Sequence, residues 1–310
     1  MKTNLRESAS PFTLNVDDRI SFRLYRDTRP HCLEIAPLQK GLALVLDGKE
    51  LIEEGVGFGL PVVKYGDKTY FSSVAQTWLQ ADSDPPTLVK TFCFDTISRK
   101  RLGENSYIND RFYAFIHRFF EKAYLAHNEM APAFNTIMEL RKTMKIQTDF
   151  VRAPSRGKVK VAYTCCPDLL KVRVDFSELR KDGCQEILVL NEQGSTFFTK
   201  YSDSDGLLLV CGRMGAWRKV SAARASLSDR RDTFSFTLQN APSAGLFRGW
   251  ERTRGRFSWA GLGYSLPKTI SGFNYNISLN MSSQRIGENQ DLLKAVRSVE
   301  SNAKYQSKNP

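Results

Sequence analysis

The segment Arg248-Gly-Trp250-Glu-Arg252-Thr-Arg254-Gly-Arg256-Phe-Ser-Trp259 concentrates the side chains of this sequence best suited to hold an anion. In an extended strand successive side chains alternate between faces, so Arg248, Trp250, Arg252, Arg254 and Arg256 project from the same one. Like charges at neighbouring positions repel, and the row calls for an anionic partner. Arginine grips carboxylate, sulfate or phosphate with paired N–H donors, and a tryptophan beside it stacks on a sugar or a base. Glu251 points to the opposite face, where burial would raise its pKa. The plainer alternative is a solvated strand face balanced by acids on neighbouring strands, since charged faces are common.

The adjoining Trp259-Ala-Gly-Leu-Gly-Tyr264-Ser-Leu-Pro267 is aromatic and glycine-rich. It could line a groove in which Tyr264 moves a proton, or it could pack a corner of a sheet. Arg248, Trp250, Arg252, Arg254, Arg256 and Trp259 are therefore the candidate ligand-binding residues, and Tyr264 and Glu251 the candidate catalytic ones.

Other chemistries find little support. Three histidines, His31, His117 and His127, limit metal and nucleophile chemistry, and His117 and His127 stand ten residues apart, off one another's face on a helix. No metal site and no cofactor are expected. There is no nucleophile elbow and no P-loop. Gly55-Val-Gly57-Phe-Gly59 leads into Leu60-Pro61-Val62-Val63, a strand and not a helix, so it lacks the helix terminus that a pyrophosphate needs and reads as a turn or bulge. The six cysteines are scattered and read as reduced, mostly buried thiols, the adjacent Cys165 and Cys166 included.

The elements that must position these residues are mainly strands. From Pro11 to Phe94 short strands alternate with turns: Ile20, Phe22 and Leu24 share a face, and Asp47-Gly48 separates two apolar stretches as a hairpin turn does. Further strands are expected at Pro61 to Lys64, Thr69 to Ser73 and Leu88 to Phe94. Phe112, Phe115, Ile116, Phe119, Phe120, Ala123 and Tyr124 then fall at helical offsets, and Pro132 suits the first turn of a second helix. Helices are expected at about 110–128 and 132–145. Two-residue alternation returns in Lys171 to Phe176, Thr233 to Leu238 and Phe273 to Leu279, with turn signals at Lys181 to Gly183, Glu192-Gln-Gly194, Asp203 to Gly206 and Asp229 to Asp232.

The fold expected is thus mainly β, an antiparallel sandwich or supersandwich with one or two helices inserted near 109–146. The parts are an N-terminal β-meander over 1–108, the helical insertion 109–146, a C-terminal antiparallel part over 147–286 and a tail at 287–310 with a short helix. Whether the strands on either side of the insertion form one sandwich or two β domains stays open.

Cys32-Leu-Glu-Ile-Ala-Pro37, the aliphatic Leu42 to Leu46, Asp47-Gly48-Lys49-Glu50-Leu51 and Gly59-Leu60-Pro61 together resemble the opening hairpins of the galactose-mutarotase-like β-supersandwich, over about thirty residues. That resemblance implies a concave sheet that holds carbohydrate, in a class that includes sugar epimerases and β domains of polysaccharide lyases. Mutarotases use histidines and a late glutamate, and His31, His117 and His127 do not match that arrangement.

A chain of 310 residues with 41% hydrophobic and 25% charged residues can bury a substantial core, and its net charge of +12 attracts polyanions. Met1 to Phe12 has no apolar run of the signal-peptide kind, and Leu42 to Leu46 and Leu207 to Cys211 fall short of the roughly 20 residues that cross a bilayer. A soluble, cytoplasmic protein without integral membrane association is expected. The function these residues point to is binding, and in an epimerase or lyase processing, of an anionic carbohydrate on a sheet face. The rivals are a nucleic-acid-binding protein that uses the same arginines and tryptophans, and a non-catalytic lipid-handling or scaffold β protein.

Overall fold

A computed structural model describes residues 10–31, 34–52, 55–80, 83–103, 106–109, 111–112, 143, 146–166, 168–211, 214, 217–252 and 258–282. A four-stranded antiparallel sheet is made by β1 (Phe12–Asn15), β2 (Ile20–Leu24), β5 (Ala43–Leu46) and β6 (Lys49–Glu50), and β3 (Arg29–His31) pairs with β4 (Glu34–Leu38). The turn between β5 and β6 has positive φ at both Asp47 (49°) and Gly48 (77°), the backbone that a two-residue hairpin needs and that the Asp-Gly pair tolerates.

All other strands join one sixteen-stranded sheet. It begins with β7 (Gly57–Tyr65), β8 (Lys68–Gln80) and β9 (Thr87–Leu102), with β10 (Ser106–Tyr107) and β11 (Ile146–Arg152) paired to the far half of β9. It continues through β12 (Lys158–Cys165), β13 (Leu169–Asp175), β14 (Cys184–Gly194), β15 (Phe198–Asp203), β16 (Leu208–Val210), β17 (Arg218–Lys219) and β18 (Arg224–Asp229). The last four strands are β19 (Phe234–Gln239), β20 (Gly245–Arg252), β21 (Ser258–Leu266) and β22 (Gly272–Met281). The lateral order is β16-β15-β18-β19-β22-β13-β12-β9-β8-β7-β14-β21-β20-β17, and all the pairings are antiparallel. Strands from both sides of 109–146 therefore share this sheet.

Several strands of the sheet are amphipathic, while β7 is buried on both faces, and burial of the apolar faces curls the sheet over itself. Val159, Val161 and Tyr163 of β12 are buried while Lys158 and Lys160 are exposed, and β13 and β22 repeat the pattern. The buried faces of the two halves meet. Phe58 on β7 packs edge-on against Phe236 on β19 at 5.2 Å, and Tyr264 on β21 lies 4.9 Å from Phe273 and 5.0 Å from Tyr275 on β22. Tyr163 on β12 donates its hydroxyl to Phe58 O at 3.1 Å. The result is a sandwich-like core, in which each fully buried phenylalanine contributes about 1.5–3 kcal/mol.

The antiparallel, mainly β expectation holds. Of the expected helices only Arg111, Phe112 and Thr143 are among the described residues, each in helical conformation, and the rest lie outside them. The short helix expected in the tail also lies outside them. Lys181 to Gly183 and Asp203 to Gly206 are turns, but Glu192-Gln-Gly194 is not: it is the end of β14, in register with Gly261, Ala260 and Trp259. Its glycine marked the exit of a strand and not a hairpin tip. Gly57 (φ 80°) and Gly59 (φ 70°) do sit at an irregularity of the β7–β14 ladder, as the run Gly55 to Gly59 implied. Cys165, Cys184 and Cys211 are buried, Cys93 and Cys166 half-buried, and all five are free thiols. No helix among the described residues is long and apolar enough to cross a membrane.

Candidate functional site

Three consecutive polar residues, Asn191, Glu192 and Gln193, are buried in the middle of the molecule at the end of β14. Consecutive residues of a strand face opposite ways, so Asn191 and Gln193 point into the sandwich and Glu192 points out of it. Asn191 Oδ1 accepts from Gly59 N and from the Tyr275 hydroxyl, both at 2.9 Å, and so ties β14 to β7 and β22. Gln193 has no such anchor: among the described residues neither its amide oxygen nor its nitrogen has a hydrogen-bond partner, although the residue is wholly buried. A buried amide left unpaired costs stability, and such groups mark places where a fold serves something other than its own packing.

On the outward face the strands beside Glu192 carry glycines. Gly261 on β21 stands opposite Glu192, and Gly249 on β20 stands opposite Gly261. Trp217, just before β17, fills the space these glycines leave. A Cβ at Gly249 would lie 2.5 Å from Trp217 Cδ2, and one at Gly261 would lie 2.9 Å from Trp217 Cη2 and 2.7 Å from Glu192 Cγ. The indole thus rests on a backbone ledge with its far end beside the glutamate, and it meets Phe247 edge-on at 4.9 Å. Trp217 and Phe247 are half-exposed, as are Leu188 and Leu190 on the same face of β14. The arrangement sets a broad aromatic surface next to a carboxylate, the pairing that stacks on a sugar ring and accepts hydrogen bonds from its hydroxyls.

The residues singled out in the sequence are placed as follows. Arg248 is on β20 but is not a solvated cation. It is buried, with 8% of its surface exposed; its guanidinium donates to Met214 O at 3.1 Å and lies 4.5 Å from the centre of the Tyr201 ring. Burial lowers its pKa, and Tyr201, whose hydroxyl donates to Asp203 Oδ2 at 2.8 Å, partly offsets that effect. Trp250, two residues on, is half-buried and donates from Nε1 to Ser195 Oγ at 3.1 Å. Glu251 and Arg252 close β20, paired with Trp259 and Ser258 of β21, so Arg248, Trp250 and Arg252 do share one strand. Arg254 and Arg256 lie outside the described residues.

Tyr264 belongs to the core. It is buried, donates its hydroxyl to Gln239 O at 2.6 Å, and burial pushes its pKa up, so it stays a neutral phenol packed against Phe273 and Tyr275. The packing reading of the glycine-rich segment is the one the geometry adopts. Among the described residues no group of three or more His, Cys, Asp or Glu side chains is placed to hold a metal ion.

Glu192, Gln193 and Trp217 were not among the sequence candidates. Glu192 was hidden in a supposed turn, and Trp217 stands in no recognisable pattern. The signal that pointed to them was present in Gly249, Gly261 and Gly263, because glycine inside a strand marks close approach by another group.

No protein-family model matches this chain, and no curated protein does. Among solved structures it is similar to a galactose mutarotase-like protein from Lactobacillus casei, at 10% identity and a TM-score of 0.41, over 88% of this chain and 100% of that one. It is also similar to a protein of Synechocystis sp. PCC 6803, at 9% identity and a TM-score of 0.38, over 91% of this chain and 100% of that one.

Proposed function

We propose that this protein binds an acidic carbohydrate on the outward face of β14, β21 and β20. The observation that carries the reading is Trp217 laid over Gly249 and Gly261 beside the buried Glu192. Sugar recognition needs a flat apolar surface for the C–H face of the ring and an acceptor for the hydroxyls around it, and these residues supply both. The acidic preference follows from the net charge of +12, which attracts anions.

The test is a calorimetric titration with a uronate oligosaccharide, comparing wild type with Trp217→Ala and with Glu192→Gln, each checked for an unchanged circular-dichroism spectrum. Loss of the stacking surface should weaken binding about ten-fold or more, equivalent to about 1.4 kcal/mol. Glu192→Gln keeps the shape and should weaken binding as well. Equal affinity in wild type and Trp217→Ala, or no binding by wild type, would sink the reading.

A further inference from the structure

The exposed face of the other half of the sheet carries a second signal. Lys158 and Lys160 on β12 and Lys171 and Arg173 on β13 are exposed on adjacent strands of one face. Residues two apart on a strand stand about 6.6–6.8 Å apart; with Arg173 paired to Ala162 and Lys171 to Thr164, the four cations follow one another in a row about 20 Å long across the two strands. None of them makes an ion pair within 4.0 Å among the described residues. The acid among them, Asp175, stands opposite Lys160. Its pKa is lowered first by hydrogen bonds from Ser177, whose N–H reaches Asp175 Oδ1 at 2.9 Å, and only then by Arg173 and Lys160. Its charge is engaged by the backbone of its own turn. A cluster of like charges on a sheet costs stability and is relieved by a polyanion.

We propose that the exposed face of β12, β13 and β22 docks an extended acidic polysaccharide. The choice of polymer rests on what surrounds the cations. Asn276 is paired with Lys171, Asn274 with Arg173, and Thr164 with Lys171 from the other side. Side-chain amides and hydroxyls offer the donors and acceptors that a hydroxyl-rich chain takes up between its charged groups. A single-stranded nucleic acid needs open aromatic faces on which its bases stack. The aromatic residue on this face, Trp78, is half-buried, and Lys160 Nζ already lies 5.5 Å from its ring centre. The surface suits charge plus hydroxyl, not charge plus base. It is built by strands other than those of the Trp217 ledge, and it does not rest on the function proposed for that ledge.

The experiment measures retention of the full chain on immobilised polygalacturonate at about 50 and about 200 mM salt, with single-stranded DNA as competitor. The test variant is Lys158→Ser, Lys160→Ser, Lys171→Ser, Arg173→Ser. A control removes the same charge at exposed positions elsewhere, as Lys49→Ser, Lys68→Ser, Arg230→Ser, Lys268→Ser. Wild type and control should be retained alike, with affinity falling steeply with salt, and the test variant should lose about ten-fold or more. Three results overturn the proposal: no retention of wild type, an equal loss in the control, or single-stranded DNA that binds more tightly than the polyuronate. Wild type and the test variant are also compared in the Trp217→Ala background, which removes the contribution of the ledge, so failure here and failure of the ledge are told apart.

Discussion

Tyr275 donates its hydroxyl to Asn191 Oδ1 at 2.9 Å across the interior, joining β22 to β14, strands that stand six places apart in the order of one sheet. The bond closes the sandwich where hydrophobic contact alone leaves register undetermined. Tyr275→Phe should cost about 1–2 kcal/mol, because Asn191 Oδ1 keeps the Gly59 N–H as its other donor. Asn191→Ala should cost more, since it strands both donors in a dry interior. Urea unfolding midpoints check the order of the two, and a Tyr275→Phe variant as damaging as Asn191→Ala would contradict it.

Lys90 gives the molecule a pH dependence whose sign follows from burial. Its side chain is wholly enclosed, and its Nζ donates to Tyr25 O at 2.9 Å and Lys40 O at 2.7 Å. Burial pushes its pKa from 10.5 down to about 7, with Asp27 acting weakly the other way. Below about pH 7 both the folded and the unfolded chain hold the proton, and the native state bears the full cost of burying the charge. Between about 7 and 10.5 the unfolded chain binds the proton and the native chain does not, so stability rises with pH across that window. In Lys90→Met this contribution is gone. The stability of wild type relative to Lys90→Met should therefore increase from about pH 6 to about pH 9.5, and a difference that stays flat would show that the amine is not titrating there.

The strands of this fold were legible wherever one face is dry and the other wet. Phe273, Tyr275, Ile277 and Leu279 alternate with Asn274, Asn276 and Ser278, and β22 follows that alternation. Alternation names the buried face of a strand but not the strand that covers it, so the meeting of Phe58 with Phe236 and of Tyr264 with Tyr275 could not be read from local sequence. The same limit explains Arg248. In the sequence it is one charge in a row. In the fold it is the member whose strand position faces Tyr201 and the Met214 carbonyl, and a planar cation with an aromatic partner can be buried there.

Gly261 is where sequence and site meet most closely. A Cβ there would lie 2.7 Å from Glu192 Cγ, 2.9 Å from Trp217 Cη2 and 3.1 Å from Asn191 O, and the last of these is backbone that cannot yield. Gly261→Ala should destabilise the protein by about 1–3 kcal/mol and shift the indole off its ledge. The emission maximum of Trp217, isolated by replacing the other three tryptophans with phenylalanine, should move to longer wavelength as the ring gains solvent. An unchanged emission maximum would mean that the ledge does not hold the ring.

Gln193 separates the needs of folding from those of binding. Its side chain is wholly buried and its amide oxygen and nitrogen have no partner among the described residues, so the residue bears a desolvation cost that a thioether of similar size would not. Gln193→Met keeps the unbranched shape, and it should be neutral or stabilising by about 1–2 kcal/mol in thermal or urea unfolding. Such a gain, obtained by removing a polar group from the core, is a sign that the wild-type residue was retained for another purpose. If Gln193 supports the Glu192 and Trp217 ledge from beneath, Gln193→Met should bind a uronate oligosaccharide more weakly while folding at least as well. A variant that loses stability instead would show that the amide is held by the fold after all.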